Sequence, residues 1–387
     1  MLSRPVFAVL TASLLAGCAA SGATPTPVAK PALSPSAVAS AAPACTPAPL
    51  ARRAAATLIV GIPGVTSPAD ALGKQVVDLG VGGLFLSEPN VESRAQLTAL
   101  VSGLRARAGR PLLVSTDEES GRVAVTRAIV GAGPSPRRLA REQTPAQVRA
   151  YARGIGEQLK ALGVDLDLAP LLDLDATAPR GVIGDRSFSA DPAVATTYGL
   201  AFSAGLVEAG VKPTMKHFPG QGRSTTDTHK QGAVVPTSLA ELRRTDLAPF
   251  QAAIDAGAPV VMLNHLGYDA LDPDLPASLS PKAYALLRSM GFTGVAMTDS
   301  VGMGAVNLRF DFDKAAVKAV TAGVDAVLAT DGNQVLRMRD ALVAAVADGS
   351  LPEARLSEAA ARVTALAGGD PMAMSCLAMT SPTLTVP

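Results

Sequence analysis

Two of the three histidines in this 387-residue chain lie within the fourteen residues from Lys216 to His229, KHFPGQGRSTTDTH. The stretch follows an apolar segment at 211–215 and is rich in glycine and polar residues, as is typical where a strand ends in a functional loop. Asp227 stands two residues before His229. In a turned loop this carboxylate can fix the tautomer of the imidazole and raise its basicity. A lone D-x-H also fits a polar surface turn. The elements that position the tripeptide must therefore show which of the two interpretations is correct.

Eight apolar, strand-like segments alternate with helical patterns through most of the chain. Their apolar character is continuous rather than alternating, which indicates a parallel sheet buried on both faces. Eight units close a barrel, and the alternative, a doubly wound open sheet, is disfavoured because the first strand–helix turn has no G-x-G-x-x-G. We predict a single (β/α)8 TIM-type barrel with a helix at 239–256 and strands at 57–62, 82–87, 111–116, 164–174, 211–215, 259–263, 294–298 and 325–329.

Polar side chains follow strand after strand, at the end where a barrel assembles its active site. They are Asp117, Glu118, Glu119, Arg122, Asp173, Asp175, Arg186, Lys216, His217, Asn264, His265, Asp299 and Asp331. Each alone could cap a helix or join a salt bridge, but together they predict a pocket for a ligand with several hydroxyl groups. Because H-E-x-x-H, a phosphate-binding glycine loop and G-x-S-x-G are all missing, the sequence predicts no metal and no cofactor.

The first residues have the form of an export signal. Arg4 precedes an apolar run that is too short to span a membrane comfortably and that ends in Leu-Ala-Gly-Cys18, which resembles the bacterial lipobox. By that resemblance residues 1–18 are a lipoprotein signal peptide and Cys18 is lipidated; an ordinary signal peptide is the alternative. Residues 19–50, rich in Ala, Pro, Ser and Thr, predict a disordered tether. We therefore expect an exported protein that is lipid-anchored to the outer face of the cell membrane.

The two remaining cysteines flank the expected barrel domain at 51–370. Cys45 precedes it and Cys376 lies in the expected C-terminal tail, 371–387. In an oxidising compartment such a pair predicts a disulfide, with two free thiols as the alternative. A net charge of +1, no tryptophan and 3% aromatic residues argue against a nucleic-acid partner. We expect a monomer that touches the membrane only through its lipid.

Six motifs, in order along residues 55–370, resemble those of family 3 glycoside hydrolases, and most closely the NagZ-type β-N-acetylglucosaminidase branch. They are DEESGRV at 117–123, IGDRSF at 183–188, KHFPG at 216–220, DTH at 227–229, PASLS at 276–280 and TDS at 298–300. With its lipobox, the chain is similar to the lipoprotein members of that branch.

The resemblance implies a role for each candidate residue. Asp299 would be the nucleophile that forms a covalent glycosyl-enzyme, and His229, oriented by Asp227, the acid/base. The positions that match residues binding the hydroxyl groups of the terminal sugar are Asp117, Arg186, Lys216 and His217. The implied reaction is the exo-acting, retaining removal of terminal N-acetylglucosamine from peptidoglycan fragments. A neutral imidazole suits this role because it does not repel the anionic nucleophile as a second carboxylate would.

Other functions remain open on the sequence. The same barrel could serve a β-glucosidase or an N-acetylglucosaminide phosphorylase, since a histidine acid/base leaves room for an anionic phosphate acceptor. A non-catalytic muropeptide-binding lipoprotein is a further alternative. Glu118, Ser120 and Gln221 stand where the family commonly has Gln, Gly and His. These departures spare the nucleophile and the dyad but leave the aglycone unpredicted.

Overall fold

The apolar segments form eight parallel strands of one sheet in the computed structural model, which describes residues 45–175 and 181–386. The strands are β1 (Leu58–Gly61), β2 (Gly83–Leu86), β3 (Leu113–Thr116), β4 (Leu166–Asp167), β5 (Lys212–Phe218), β6 (Val260–Leu263), β7 (Val295–Thr298) and β8 (Val327–Ala329). Their order is β7-β6-β5-β4-β3-β2-β1-β8. A parallel bridge between Met297 of β7 and Ala326, beside β8, joins the two ends. The barrel prediction is therefore confirmed, and the open sheet was the wrong alternative.

The helices follow the strands as the periodicity predicts. They are α1 (Leu50–Ala56), α2 (Ala71–Asp78), α3 (Arg94–Ala108), α4 (Arg127–Val130), α5 (Pro136–Glu142), α6 (Pro145–Ala161), α7 (Pro192–Glu208), α8 (Leu239–Arg244), α9 (Leu247–Asp255), α10 (Pro281–Ser289), α11 (Gly304–Asn307), α12 (Phe312–Ala322), α13 (Val335–Ala347), α14 (Glu353–Leu366) and α15 (Pro371–Ser375). Short 3-10 turns lie at Glu88–Asn90, Gly184–Arg186, Ala277–Leu279 and Gly332–Gln334. Short two-stranded ribbons pair Glu118–Ser120 with Val123–Ala124 and Val234–Val235 with Gly267–Tyr268.

The strands divide their side chains between two apolar clusters. Ile59 of β1 belongs to a small cluster inside the barrel, whereas its neighbours Leu58 and Val60 belong to the large cluster that includes the helices. This alternation follows from the two-residue repeat of a strand. Val363 and Leu366 of α14 join the inner cluster, so α14 contributes to the core of the barrel itself.

Two predicted elements are shorter than the sequence suggested. The predicted strand at 164–174 pairs regularly only over β4, because Pro170 has no N–H to donate to a sheet ladder. The predicted helix at 239–256 is broken at Thr245, whose φ of −121° and ψ of −85° are not helical. At the break, the Asp246 carboxylate accepts hydrogen bonds from Arg223 and from the Thr245 hydroxyl.

The two ends of the folded region are joined at the base of the barrel. Cys45 and Cys376 form a disulfide, and the Ala48 amide donates to the Met374 carbonyl. The segment expected as a C-terminal tail is packed: it contains α15, and its Leu384 is 3% exposed, with the Thr385 amide donating to the carbonyl of the residue after α9.

The predicted signal peptide, Cys18 and the tether up to residue 44 lie outside the described residues. Residues 45–49 precede α1 without regular structure. Within the part of the chain that is described, no helix is both long and apolar enough to cross a membrane.

Replacing both bridged cysteines by serine is expected to lower the free energy of unfolding by about 2–5 kcal/mol. The bridge spans 331 residues of sequence, so its loss releases a large loop in the unfolded chain. The check is urea denaturation of the Cys45→Ser/Cys376→Ser variant beside Cys18→Ser as the matched control. An unchanged midpoint with an unchanged slope would show that the bridge contributes nothing to stability.

Candidate active site

A cavity of about 440 Å³ opens at the carboxyl ends of the barrel strands. All seven residues predicted to bind or transform a substrate line it: Asp117, Arg186, Lys216, His217, Asp227, His229 and Asp299. Lys216 and His217 belong to the last residues of β5, which extends beyond the predicted 211–215, and the other five come from the loops after β3, β4, β5 and β7. The closed sheet brings all of them to one end. The barrel therefore assembles side chains that are up to 182 positions apart in sequence.

The floor of the cavity is a network of two cations and two carboxylates. Glu119 accepts two hydrogen bonds from Arg186, both of 2.7 Å, which is a bidentate pair. Lys216 Nζ lies 2.7 Å from an oxygen of Asp117 and 2.5 Å from an oxygen of Glu119. The Lys216 side chain is 3% exposed and that of Glu119 1%. Asp117 is the more exposed carboxylate, so it is the one that can face a ligand.

Charge pairing decides the ionisation of this network. Burial alone would raise the pKa of Glu119, but the charges of Arg186 and Lys216 outweigh it and hold the pKa at about 2. Burial likewise opposes the charged form of Lys216, yet Asp117 and Glu119 raise its pKa. Glu119 and Lys216 are therefore both charged at neutral pH. Glu119 fixes the orientation of the Arg186 and Lys216 side chains, so that their N–H groups can donate to the hydroxyl groups of a ligand.

Substituting Glu119 by glutamine is expected to cost on the order of 3–5 kcal/mol, because Arg186 and Lys216 lose a buried counter-charge. The pKa of Glu119 falls from 4.5 to about 2 on folding. A depressed carboxyl pKa contributes stability that is fully present above the unfolded pKa and is lost as pH falls through the folded pKa. The wild type should lose this contribution between about pH 4.5 and 2, and Glu119→Gln should not.

Glu118 supplies a matched control one residue away. Burial raises the pKa of Glu118, although the amide and hydroxyl of Thr126 donate to its carboxylate. A raised carboxyl pKa means that ionisation opposes folding, so Glu118→Gln should leave stability at pH 7 unchanged or higher. Chemical denaturation of both variants from pH 2 to 7 makes the comparison. Equal losses in the two variants would contradict the role given to Glu119.

The turn after β5 is held by a buried aspartate. Asp173 accepts a 2.6 Å hydrogen bond from Nδ1 of His217, two longer bonds from the His217 amide and a 2.6 Å bond from the Gln221 amide. The Asp173 side chain is fully buried. With Nδ1 donating to the carboxylate, the Nε2 edge of His217 is the part left to meet a ligand.

Asp299 follows β7, and its surroundings favour the ionised carboxylate. Burial would raise its pKa, but nearby His265 and His217 and the hydrogen bond from the Ser300 amide lower it below the usual value. His265 itself is buried, which lowers its pKa and favours the neutral ring. Its Nε2 donates to the Ser300 carbonyl at 2.8 Å, so its Nδ1 accepts from the Ser278 hydroxyl at 2.6 Å. This chain of contacts fixes the backbone that carries Asp299.

The predicted dyad is formed in the β5 loop. Asp227 Oδ1 lies 2.9 Å from His229 Nδ1 and also accepts from the His229 amide at 3.1 Å. Slight burial raises the pKa of Asp227, but the hydrogen bonds from His229 outweigh it and lower the pKa overall. The His229 side chain is 72% exposed, so its Nε2 is accessible from the cavity it lines. Asp227 and His229 therefore form a hydrogen-bonded carboxylate–imidazole pair.

Contacts at both ends anchor this loop. Gly222 lies so close to the loop after β4 that a Cβ atom would stand 1.8 Å from the Leu174 carbonyl oxygen. The side-chain amide of Gln221 donates to the Thr228 hydroxyl at 3.3 Å. The Gly304 amide donates to the His229 carbonyl, and a Cβ at Gly304 would stand 2.4 Å from the next carbonyl oxygen of the loop. The loop that carries the dyad is therefore packed against the first turn of α11, which begins five residues after Asp299.

Three residues that matter to the site had no assigned role from the sequence. They are Glu119, Asp173 and His265, each of which lies behind a predicted ligand-facing residue. The sequence did contain a signal, since each of them follows a strand. Among the described residues, no group of three or more His, Cys, Asp and Glu side chains is arranged to hold a metal ion.

A parallel (β/α)8 barrel assembles its active site at the carboxyl ends of its strands. Here those ends carry an ionised carboxylate and a carboxylate–imidazole dyad, which can serve as the nucleophile and the acid/base of a barrel-type glycoside hydrolase. Sequence comparison agrees, since the family model described as the glycosyl hydrolase family 3 N terminal domain matches residues 55–366. The chain belongs to glycoside hydrolase family 3.

Individual relatives give the same assignment. The chain is 36% identical over 337 residues to beta-hexosaminidase LpqI of Mycobacterium tuberculosis (strain ATCC 25618 / H37Rv), covering 80% of this chain and 85% of that protein. The solved structure of M. tuberculosis LpqI superposes with a TM-score of 0.78 at 36% identity, covering 84% of this chain and 98% of that one. A beta-N-acetylhexosaminidase structure from Beutenbergia cavernae DSM 12333 gives a TM-score of 0.76 at 31% identity, covering 83% and 99%.

Proposed function

We propose that this protein is an exo-acting, retaining β-N-acetylglucosaminidase that removes terminal N-acetylglucosamine from peptidoglycan fragments. One observation carries the proposal: the ionised Asp299 and the Asp227–His229 dyad open into one cavity whose floor is built of paired donors and acceptors. The relatives named as hexosaminidases support the choice of sugar.

In the first half of the reaction Asp299 attacks the anomeric carbon while the bond to the leaving oxygen breaks. His229, as imidazolium, gives its Nε2 proton to that oxygen, so the aglycone departs as a neutral alcohol. Asp227 accepts from Nδ1 and stabilises the charged ring before the transfer. The products of this half are a glycosyl ester on Asp299 and a neutral imidazole.

In the second half a water molecule attacks the anomeric carbon and releases Asp299 as a carboxylate. The neutral His229 takes one proton from that water and returns to the imidazolium form. Two inversions at one carbon give overall retention. During both halves Asp117, Arg186, Lys216 and His217 hold the hydroxyl groups of the sugar, and the buried Glu119 and Asp173 keep those side chains in place.

The alternatives are less well supported. The relatives reported above are named for hexosaminidase activity, which does not favour a β-glucosidase. A purely binding protein would have no need for an ionised carboxylate and an imidazole dyad facing the same space. A phosphorylase differs from the proposed enzyme only in its acceptor, so the same assay separates the two.

The test is hydrolysis of 4-nitrophenyl N-acetyl-β-glucosaminide beside the matching β-glucoside, in phosphate and in a phosphate-free buffer. We expect a strong preference for the N-acetyl sugar, free N-acetylglucosamine as the product in both buffers, and the β-anomer formed first by proton NMR. Equal rates on the two sugars would reject the hexosaminidase, a sugar 1-phosphate would identify the phosphorylase, and initial α-anomer would reject retention.

The cellular setting is part of the proposal. Lipidation at Cys18 and a tether that ends before the bridged Cys45 would hold the barrel outside the membrane, within reach of wall fragments. Cys18→Ala should move the protein from the membrane fraction to the soluble or secreted fraction. If the variant stays in the membrane fraction, the lipid anchor is not at this residue.

A further inference from the structure

A second cavity, of about 270 Å³, lies at the opposite end of the barrel from the active site. It is lined by Ala56, Gly82 and Pro111, which directly or closely precede β1, β2 and β3, and by residues of the C-terminal segment around Met374. Most of its surface is apolar. Two arginines, Arg52 and Arg110, also line it.

The two guanidinium groups lie against consecutive residues of one turn. A Cβ atom on Gly80 would stand 1.4 Å from an Arg52 nitrogen, so Arg52 lies directly over that glycine. Arg110 donates to the carbonyl of the next residue, Val81, at 2.7 Å and to Pro111 at 3.0 Å. Arg110 is thereby fixed in position, and it still has N–H groups to donate.

These two cations have no carboxylate partner among the described residues. Burial lowers the pKa of Arg52, and burial together with the charge of Arg52 lowers the pKa of Arg110 to about 10. No acidic group in the described part of the chain acts against either effect. Asp370 lines the same cavity, but its contact is a hydrogen bond from the Met372 amide. Other arginines near this end are paired, as Arg53 is with Glu353 and Arg107 with Asp78.

We propose that this cavity is a binding site for a phosphate oxyanion. Two half-buried guanidiniums that repel each other would each gain a charge-assisted, bidentate partner from a tetrahedral anion. The apolar walls suit a phosphate that carries an apolar group, such as a phospholipid headgroup with the first carbons of its chains. Free phosphate has the same oxyanion chemistry, so the experiment must separate the two sources.

The position fits a ligand at the membrane surface. The cavity is lined by Ala48, three residues after Cys45, where the segment predicted to be the tether enters the folded region. A phospholipid bound here would hold the base of the barrel toward the membrane and leave the active-site end facing outward. This part of the inference rests on the proposed lipid anchor, whereas anion binding does not.

The experiment is titration calorimetry of the full chain with inorganic phosphate and, separately, with the soluble phospholipid dihexanoylphosphatidylglycerol. Arg52→Gln is the main variant, because the Arg52 side chain donates no hydrogen bond to the described protein and its replacement should not disturb the fold. Arg141→Gln, an exposed arginine of α5, is the control. We expect Arg52→Gln to weaken binding at least ~10-fold and Arg141→Gln to leave it unchanged.

The two probes then identify the source. Binding of the phospholipid that is tighter than that of inorganic phosphate indicates a headgroup, and the reverse indicates free phosphate. Phosphate that bound only in the active site would be insensitive to Arg52→Gln, and that result, or equal losses in both variants, would overturn the proposal. Hydrolysis of the nitrophenyl substrate should be normal in Arg52→Gln, so this test can fail without affecting the proposed enzymatic function.

Discussion

Asp299→Asn is expected to reduce kcat for 4-nitrophenyl N-acetyl-β-glucosaminide by about 10⁴-fold or more, which is on the order of 5 kcal/mol or more in activation free energy. The amide keeps the shape of the side chain and can still accept from the Ser300 amide, but it cannot attack the anomeric carbon. Because the loss lies in the chemical step, affinity for the sugar should be retained. The measurement is a steady-state assay with binding followed separately by calorimetry.

Asp331→Asn is the matched control for that substitution. Asp331 follows β8 at the same end of the barrel but does not line the cavity, and its carboxylate accepts hydrogen bonds from Asn333 and Gln334. The control should therefore keep nearly wild-type turnover. Near-normal activity in Asp299→Asn, or an equal loss in the control, would reject Asp299 as the nucleophile.

His229→Ala is expected to affect substrates in proportion to their need for a proton. With a chitobiose-like disaccharide, whose leaving group is a poor one, kcat should fall by about 10²–10⁴-fold. With the nitrophenyl substrate the first step needs no proton, so the glycosyl-enzyme should accumulate and release one nitrophenolate per protein in a rapid burst. The check is pre-steady-state absorbance with both substrates.

Azide gives a second measurement on the same variant. As an anionic nucleophile that needs no general base, it should restore turnover of the nitrophenyl substrate and yield a β-glycosyl azide. Thr225→Ala is the control, because Thr225 lies in the same loop four residues before His229 and is exposed. Equal losses on both substrates without a burst would mean that His229 has no part in proton transfer.

Much of the site could be predicted because it follows from strand ends. Once eight strands close a parallel barrel, the residues at and just after their carboxyl ends must meet, and this placed Asp117, Lys216 and Asp299 around one cavity. The D-x-H spacing correctly indicated that Asp227 and His229 would contact each other. These inferences need only the periodicity of the chain and the geometry of a barrel.

The supporting residues could not be predicted in the same way. Whether Glu119 or its neighbour Glu118 points into the cavity depends on a short ribbon after β3, where one of the two carboxylates meets Arg186 and the other meets Thr126. The break at Thr245 has a similar cause, since a distant arginine binds the aspartate that follows it. Contacts of this kind join residues far apart in the chain and leave no local pattern.

The charges around the cavity do not balance, and the imbalance has a consequence for inhibition. Among the described residues, three cations and four carboxylates line it, so with both histidines neutral one negative charge is left over. In the acid form of His229 the imidazolium balances that charge until its proton moves to the leaving oxygen. Since Asp299 is then still partly ionised, the lining is net negative while positive charge develops on the sugar ring. An imino sugar protonated at its ring nitrogen should bind more tightly than a neutral sugar of the same shape, and an anionic analogue more weakly.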